Sequence, residues 1–294
     1  LLTGTPTPNE PTDAWALAKL VESPTLATTY TGFKDKVMLK LGQWRFMPRP
    51  NSAETVTQVL QPAIRFMRDE CLDLPDTVFH TRDVKLTKEQ SDAYKEMVKH
   101  LVAEANSGQI TAANEAVKMQ KLIQISCGVA YDNFGKPIEL DCKPRVDLVR
   151  EIIDEVGGKV IIFLPLTGAL HMLNRELAKD YSTAVVNGAV PARERNEIFT
   201  AFQNDENPRI LVAHPACMAH GLSLTASSTI VWYGPITSNE QYTQANGRIE
   251  RIGKKHTSNV FHIEATDLER KVFERLRNKQ KLQGTLLEMI SGGM

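Results

Sequence analysis

Charge of one sign is the first thing this sequence lacks. Its 35 Lys and Arg cancel its 35 Asp and Glu over 294 residues, which excludes a protein whose whole surface attracts polyanions. A local basic strip would still act, because the field depends on where charges sit. Cysteine is scarce as well. The four, at positions 71, 127, 142 and 217, show no CxxC or ribbon spacing, so a zinc ribbon and a dithiol redox centre drop out and the thiols read as reduced packing groups. No apolar run approaches the roughly 20 residues that span a bilayer. The opening LLTGTPTPNEP lacks the basic and apolar regions of a signal peptide, so a cytoplasmic location is expected. What is present is apolar material, 42% of the residues, enough for one large or two ordinary domains. Leu1 stands in what reads as the end of a buried strand, and the chain is therefore expected to be part of a longer polypeptide.

Hydrophobic periodicity divides the chain. Residues 1–30 hold an apolar start, a Gly/Pro turn and a short helical pattern through Trp15, Leu17, Ala18, Leu20 and Val21, as at the edge of a further domain. Between Thr31 and Asn51, aromatics mixed with Gly and Pro favour an irregular connection over a long helix. Val56, Val59, Leu60, Ile64 and Met67 then recur at helical spacing, with Pro62 as an interruption. The strand-like TVFHTRDVKL ends at Thr87, which has Gln90 at capping-box distance, and Tyr94, Met97, Val98, Leu101 and Val102 follow as an apolar stripe. Residues 52–130 thus read as a helical arm with one extended excursion.

From residue 143 helix and strand alternate. Val146, Val149, Ile153 and Val156 form one helix face, stopped by Gly157 and Gly158 before the strand KVIIFL. Helical segments at 168–179 and 191–203 alternate with the strands TAVVN, RILVA, TIVWY and SNVFHI. Near-continuous apolar strands separated by helices indicate a parallel sheet covered on both faces. Two later helices carry capping pairs, Ser238 with Gln241 and Thr266 with Glu269, and the second offers Leu268, Val272, Phe273 and Leu276 to a core. The expected fold class is α/β, with segments 1–30 (the end of another lobe), 31–134 (linker and arm), 135–284 (the α/β lobe) and 285–294 (a polar, Gly-rich, mobile tail).

The sharpest constellation is QYTQANGRIERIGKK. On a helix continuing from Ser238, Gln244, Arg248 and Arg251 share one face, with Gly247 giving room for a close approach. A guanidinium presents several donors to phosphate oxygens and keeps its charge at neutral pH, which suits phosphoryl transfer. On spacing alone the same residues also fit a solvated basic helix with Glu250 as an ordinary partner. His214 and His220 have no acidic or thiol residues at ligand spacing, so they read as packing or hydrogen-bonding groups and not as a metal pair. Trp232 and Tyr233 lie in an apolar strand and read as core.

These features stand in a familiar order. LLTGTPTPN matches motif III of the SNF2-like branch of superfamily 2 helicases, and DAWAL resembles the helix after it. LTKEQSDAYKEM and MQKLIQISCG resemble points of the arm, KVIIFL resembles motif IV, and NGAVPARERNEIFTAF resembles the segment with a glycine and a later arginine. HPACMAHGLSLTASSTIVWYG resembles motif V in a form common in bacteriophage motors, and QANGRIERIGKK resembles motif VI. The chain departs from the family where Cys217 and Met218 occupy small-residue positions, where Ser223 replaces an asparagine and where Glu250 replaces a frequent histidine.

The resemblance implies a RecA-like C-terminal helicase lobe preceded by an arm and a remnant of the first lobe. It implies a DNA-dependent ATPase acting on duplex or branched DNA, a motor of bacteriophage origin working in a bacterial host cytoplasm. Arg251 would be the arginine finger, Arg248 a second phosphate contact and Gln244 an organiser of that network, with Gly221 beside the nucleotide. Gly188, Arg195, His220, Gly221 and Ser223 would face the nucleic-acid backbone, and Thr3, Gly4 and Thr5 would couple the two activities. ATP and Mg2+ would be held by the N-terminal RecA-like lobe of the same polypeptide, because neither GxxxxGK[ST] nor a DEx[HD] acidic pair occurs in residues 1–294. Alone, the chain is expected to lack ATPase activity. The alternative is a noncatalytic regulatory or nucleic-acid-binding protein that keeps the helicase-like lobe; a nucleotide-sugar transferase lobe fits the arginine pair and LTGTP less well.

Overall fold

The computed structural model describes residues 6–7, 10–42, 46–64, 75–106, 112–132, 134–218, 223–250, 257–278 and 289. Two compact units emerge, Leu1–Asp73 and Leu74–Met294. In the first, α1 (Ala14–Leu20) and α2 (Tyr30–Val37) are followed by the antiparallel hairpin of β1 (Met38–Lys40) and β2 (Phe46–Pro48) and by α3 (Ser52–Val59). Their small core is Ala14, Ala18, Phe33, Val37, Met38 and Val59. In place of the irregular connection expected across 31–51, the described residues 31–42 and 46–51 hold a helix and two short paired strands. Thr29 Oγ1 accepts from the Gly32 N–H at 3.1 Å and starts α2, and Phe33 and Val37, one turn apart, bury its face.

The second unit begins with β3 (Thr77–Asp83), then α4 (Lys88–Asn106), α5 (Ala112–Ser126) and the small hairpin of β4 (Val129–Tyr131) and β5 (Pro137–Glu139). The expected capping box is present: the Gln90 N–H donates to Thr87 Oγ1 and the Thr87 N–H to Gln90 Oε1, both at 3.2 Å. Alternation follows through α6 (Lys143–Val156), β6 (Lys159–Phe163), α7 (Thr167–Leu177), β7 (Thr183–Val186), α8 (Ala192–Asn204), β8 (Ile210–Ala213), β9 (Ser227–Trp232), α9 (Asn239–Asn246), β10 (Ser258–Glu264) and α10 (Asp267–Arg277). Gly157, at φ 65°, ends α6 as a left-handed cap, the reading made from its sequence.

Six strands form one parallel sheet in the order β3-β10-β9-β6-β8-β7. β6 and β8–β10 are buried almost throughout, whereas the edges β3 and β7 are not. Burial on both faces explains why the inner strands read as continuous apolar runs. The excursion at 77–83 is the edge strand of this sheet, in register from Thr77↔Ser258 to Asp83↔Glu264. Leu101, Met119, Leu122 and Ile123 of α4 and α5 belong to the same core as the sheet. The boundary expected at 135 thus falls inside the unit, because an apolar helical stripe needs a buried partner and these helices find theirs on the lobe. Of the tail 285–294, Met289 alone is described, and it is buried. Among the described residues no helix is long and apolar enough to cross a membrane.

Candidate functional site

In open parallel sheets, ligand-handling loops lie beyond the carboxyl ends of the strands, above all where the strand order reverses. Here the chain moves from β6 outward to β7, returns to β8, and crosses to β9 and β10 on the other side. The loops after β6, β7, β8 and β9 therefore share one edge.

After β7, buried Asn187 organises the turn. Its Nδ2 lies 3.0 Å from His171 Nε2 and its Oδ1 accepts from the Ala189 N–H at 2.9 Å. Gly188 is exposed at the tip, and a Cβ there would meet nothing within 4 Å. Arg195, half-buried in the first turn of α8, donates from Nη2 to the Val190 carbonyl at 3.0 Å. It supports the loop that presents Gly188. Burial raises the Cys217 thiol's pKa, and the charge of Arg195 opposes that shift, so this arginine also faces the next loop.

After β8, the His214 N–H donates to the Val186 carbonyl at 2.8 Å and His214 Nδ1 accepts from the Ala216 N–H at 3.2 Å, within a 3-10 turn at Pro215–Met218. Burial lowers the His214 pKa, against a hydrogen bond to the Pro165 backbone that favours the proton. The ring braces the loop through these bonds, and no group of three potential metal ligands occurs among the described residues. His220 and Gly221 lie outside the described residues. Ser223 is exposed, and next to it the Leu224 N–H donates to the Arg248 carbonyl at 3.0 Å, joining the end of this loop to the arginine segment.

That segment starts as expected and ends differently. Ser238 Oγ accepts from the Gln241 N–H at 3.3 Å. Tyr242, Ala245 and Asn246 face inward, with Tyr242 Oη 2.9 Å from His262 Nε2 and Asn246 Oδ1 accepting from Trp232 Nε1 at 2.9 Å. Trp232 and Tyr233 are fully buried, as read. The helix stops at Asn246, two residues before Arg248, so the single helical face expected for Gln244 and Arg248 is interrupted between them; Arg251 lies outside the described residues. Gly247–Ile249 form a turn in which Arg248 N–H donates three residues back, to Ala245, and Ile249 is buried. The Arg248 carbonyl, which a longer α9 would use internally, is taken by Leu224.

The side chains follow from this turn. Gln244 is half-buried and donates to Glu240 Oε1 at 2.9 Å. Arg248 is 8% exposed, so it is packed into the lobe instead of projecting from it. A Cβ on Gly247 would make ordinary contacts with the Thr243 and Gln244 carbonyls at 3.4 and 3.6 Å, so among the described residues no close approach requires that glycine. Glu250 accepts a hydrogen bond from Thr77 Oγ1, binding the end of the segment to β3. Arg251, Thr3, Gly4 and Thr5 lie outside the described residues.

Sequence reasoning missed a buried cluster beside the strand ends. Arg145 and Glu269 are 2% and 0% exposed and form an ion pair, Arg145 Nη2 reaching both carboxylate oxygens at 2.8 Å. Burial opposes the Arg145 charge, yet Glu269 holds its pKa above the usual value. Arg145 Nη1 also donates to the Tyr233 carbonyl and lies 3.7 Å from Cys127 Sγ. The only sequence signal was Glu269 as a helix cap.

Residues 144–253 match the family model of the helicase conserved C-terminal domain and residues 1–127 that of the SNF2-related domain. Protein p41 of Acyrthosiphon pisum secondary endosymbiont phage 1 is 30% identical over 310 residues, covering 98% of this chain and 64% of its own length. The chain spans 64% of that relative and 32% of a helicase/translocase from Bacillus subtilis (strain 168). Among solved structures, the C-terminal part of the Fun30 ATPase domain aligns with a TM-score of 0.58 at 15% identity, covering 74% of this chain and 97% of that one. The Sulfolobus solfataricus SWI2/SNF2 ATPase core in complex with dsDNA aligns with a TM-score of 0.55 at 23% identity, over 90% of this chain and 57% of that one. The solved structures share the fold, and the two family models, in this order along the chain, give the family: the chain carries an SNF2/SWI2-type superfamily 2 helicase/ATPase C-terminal domain.

Proposed function

We propose that this chain is the C-terminal part of an ATP-dependent DNA translocase of bacteriophage type, supplying arginines to a nucleotide held by another lobe. The observation that supports the reading is the turn at Gly247–Ile249, which packs Arg248 into the lobe and ties it to the loop after β8; Arg251 follows three residues later in the sequence. In this reading Arg251 is the finger that meets charge developing on the transferred phosphoryl group. Arg248 and Gln244 hold the segment and its donors in place, and Gly221 lies beside the nucleotide. Arginine suits the task because its planar donors keep their charge. ATP and Mg2+ belong to the lobe with the phosphate loop, so residues 1–294 alone hydrolyse no ATP.

DNA runs along the strand-end loops, where exposed Gly188 and Ser223, with His220 and Gly221, offer small groups and backbone to phosphates while Arg195 braces the first loop. Duplex DNA is favoured because the similar Sulfolobus core is in complex with dsDNA. Thr3, Gly4 and Thr5 couple the two sites. The test is DNA-stimulated ATP hydrolysis by the polypeptide that contains both lobes. Arg251→Ala lowers kcat by about 10³-fold or more, the usual worth of such a finger; an unchanged rate refutes the assignment.

A further inference from the structure

One ion pair joins four elements of the second unit. Arg145 lies in the first turn of α6, Ser126 ends α5, Tyr233 follows β9 and Glu269 opens α10. Glu269 Oε1 accepts from Ser126 Oγ at 2.9 Å as well as from Arg145, while Oε2 accepts from the N–H groups of Ala265 and Thr266 at 2.7 and 3.2 Å. The carboxylate is thus held from several directions, and both its oxygens accept from the one guanidinium nitrogen Nη2. That leaves Nη1 aimed at a single backbone acceptor, the Tyr233 carbonyl.

Tyr233 is where the chain leaves the sheet. Its N–H is bonded to the Phe163 carbonyl of β6 at 3.1 Å, and the next residues turn toward the Ser238 cap of α9. Gly234 packs so closely on Cys127 that a Cβ there would overlap the sulfur. A core does not need a buried ion pair to be stable, since well-packed apolar residues serve as well or better. What an apolar pair lacks is a donor for this carbonyl.

We propose that Arg145, aimed by Glu269, is a positioning residue: it fixes the direction in which the chain leaves β9 and so the placement of α9 and of the Arg248 turn. Gln90 extends the link to the arm, because its Nε2 donates to the Ile125 and Ser126 carbonyls at 2.9 and 3.0 Å, beside the hydroxyl that Glu269 holds. The consequence for catalysis rests on the function proposed above; the consequence for local structure does not.

The pair is tested by Arg145→Met with Glu269→Gln. This double variant removes both charges, while glutamine keeps an acceptor for the α10 cap. Hydrogen exchange of residues 1–294 is expected to accelerate by roughly 10-fold or more across 234–250, with β6 and β8 as protected as before. Unchanged exchange across 234–250 overturns the proposal. If the double variant loses protection everywhere, Arg145→Lys decides, since it keeps the charge opposite Glu269. Acceleration confined to 234–250 then supports the proposal, and unchanged or global loss overturns it. In the two-lobed protein, Arg145→Lys is expected to lower kcat roughly 10- to 100-fold with KM for ATP nearly constant, as misplacement of a reacting group does. Normal kcat beside a collapsed Arg251→Ala overturns the catalytic half. Failure of Arg251→Ala itself counts against the proposed function and leaves the exchange result standing.

Discussion

Gly128→Ala separates backbone strain from packing next to the buried cluster. Gly128 follows Cys127 at the end of α5 and has φ +86°, where a side chain is disfavoured. A Cβ there would lie 2.5 Å from Cys142 Sγ and 2.7 Å from Cys142 Cβ. Ordinary carbon contacts are about 3.5–4.0 Å, so the overlap is about 1 Å. Rotating the Cys142 side chain moves its sulfur but not its Cβ, and relief requires a shift of the α6 start. The left-handed backbone costs about 1–2 kcal/mol and the overlap about 1–3 kcal/mol, for a loss of roughly 2–5 kcal/mol. Only the second part depends on Cys142. In urea unfolding, Cys142→Gly, acceptable at the α6 cap, should recover about 1–3 kcal/mol relative to additivity while the backbone part remains. Cys142→Ala, which retains the Cβ, should recover less. A Gly128→Ala variant within about 0.5 kcal/mol of the parent at constant m refutes the reasoning, as does additivity within that margin with Cys142→Gly.

His262 is buried against Phe273, and burial first, then the nearby Arg277 charge, lowers its pKa to about 3. The unfolded imidazole titrates near about 6.5, so its stabilising contribution is complete above that value and is lost as pH falls toward about 3, at up to about 1.4 kcal/mol per unit. His262→Gln, which keeps an acceptor for Tyr242, should flatten the acid side of the stability profile; a parental slope would contradict this. Asn246→Leu removes the acceptor of the buried Trp232 N–H and should cost about 1–3 kcal/mol. Asn246→Asp keeps an oxygen there, and equal melting temperatures for the two variants would show that this hydrogen bond contributes nothing.

Under the proposed function, the packed Arg248 and Arg251 have different tasks. A group 8% exposed is held by the lobe it belongs to, and its backbone carbonyl holds Leu224. In the proposed function, truncating the buried Arg248 side chain therefore loosens the packing of its own turn, whereas loss of Arg251 removes a donor from the proposed nucleotide cleft. The departure at Glu250 has a structural counterpart of its own, since this carboxylate engages Thr77 at the start of β3. The edge strand and the arginine segment are thus fixed to each other within one unit.

The sequence by itself determined the inner strands, their helices and most caps, because these depend on short-range chemistry. Apolar runs such as KVIIF, the Gly157 stop and the Thr266–Glu269 box report on residues within a turn or two. The ordered motifs likewise marked the strand-end loops as the place to look. Only the tertiary structure decided that Thr77–Asp83 joins β10 far along the chain, that α9 stops before Arg248, and that Arg145 meets Glu269. Each depends on partners remote in sequence: a ladder neighbour, a buried Ile249 with Leu224 on the turn, and a counter-ion across the core. Local periodicity reports which face of an element is apolar, but not which distant group will lie against it.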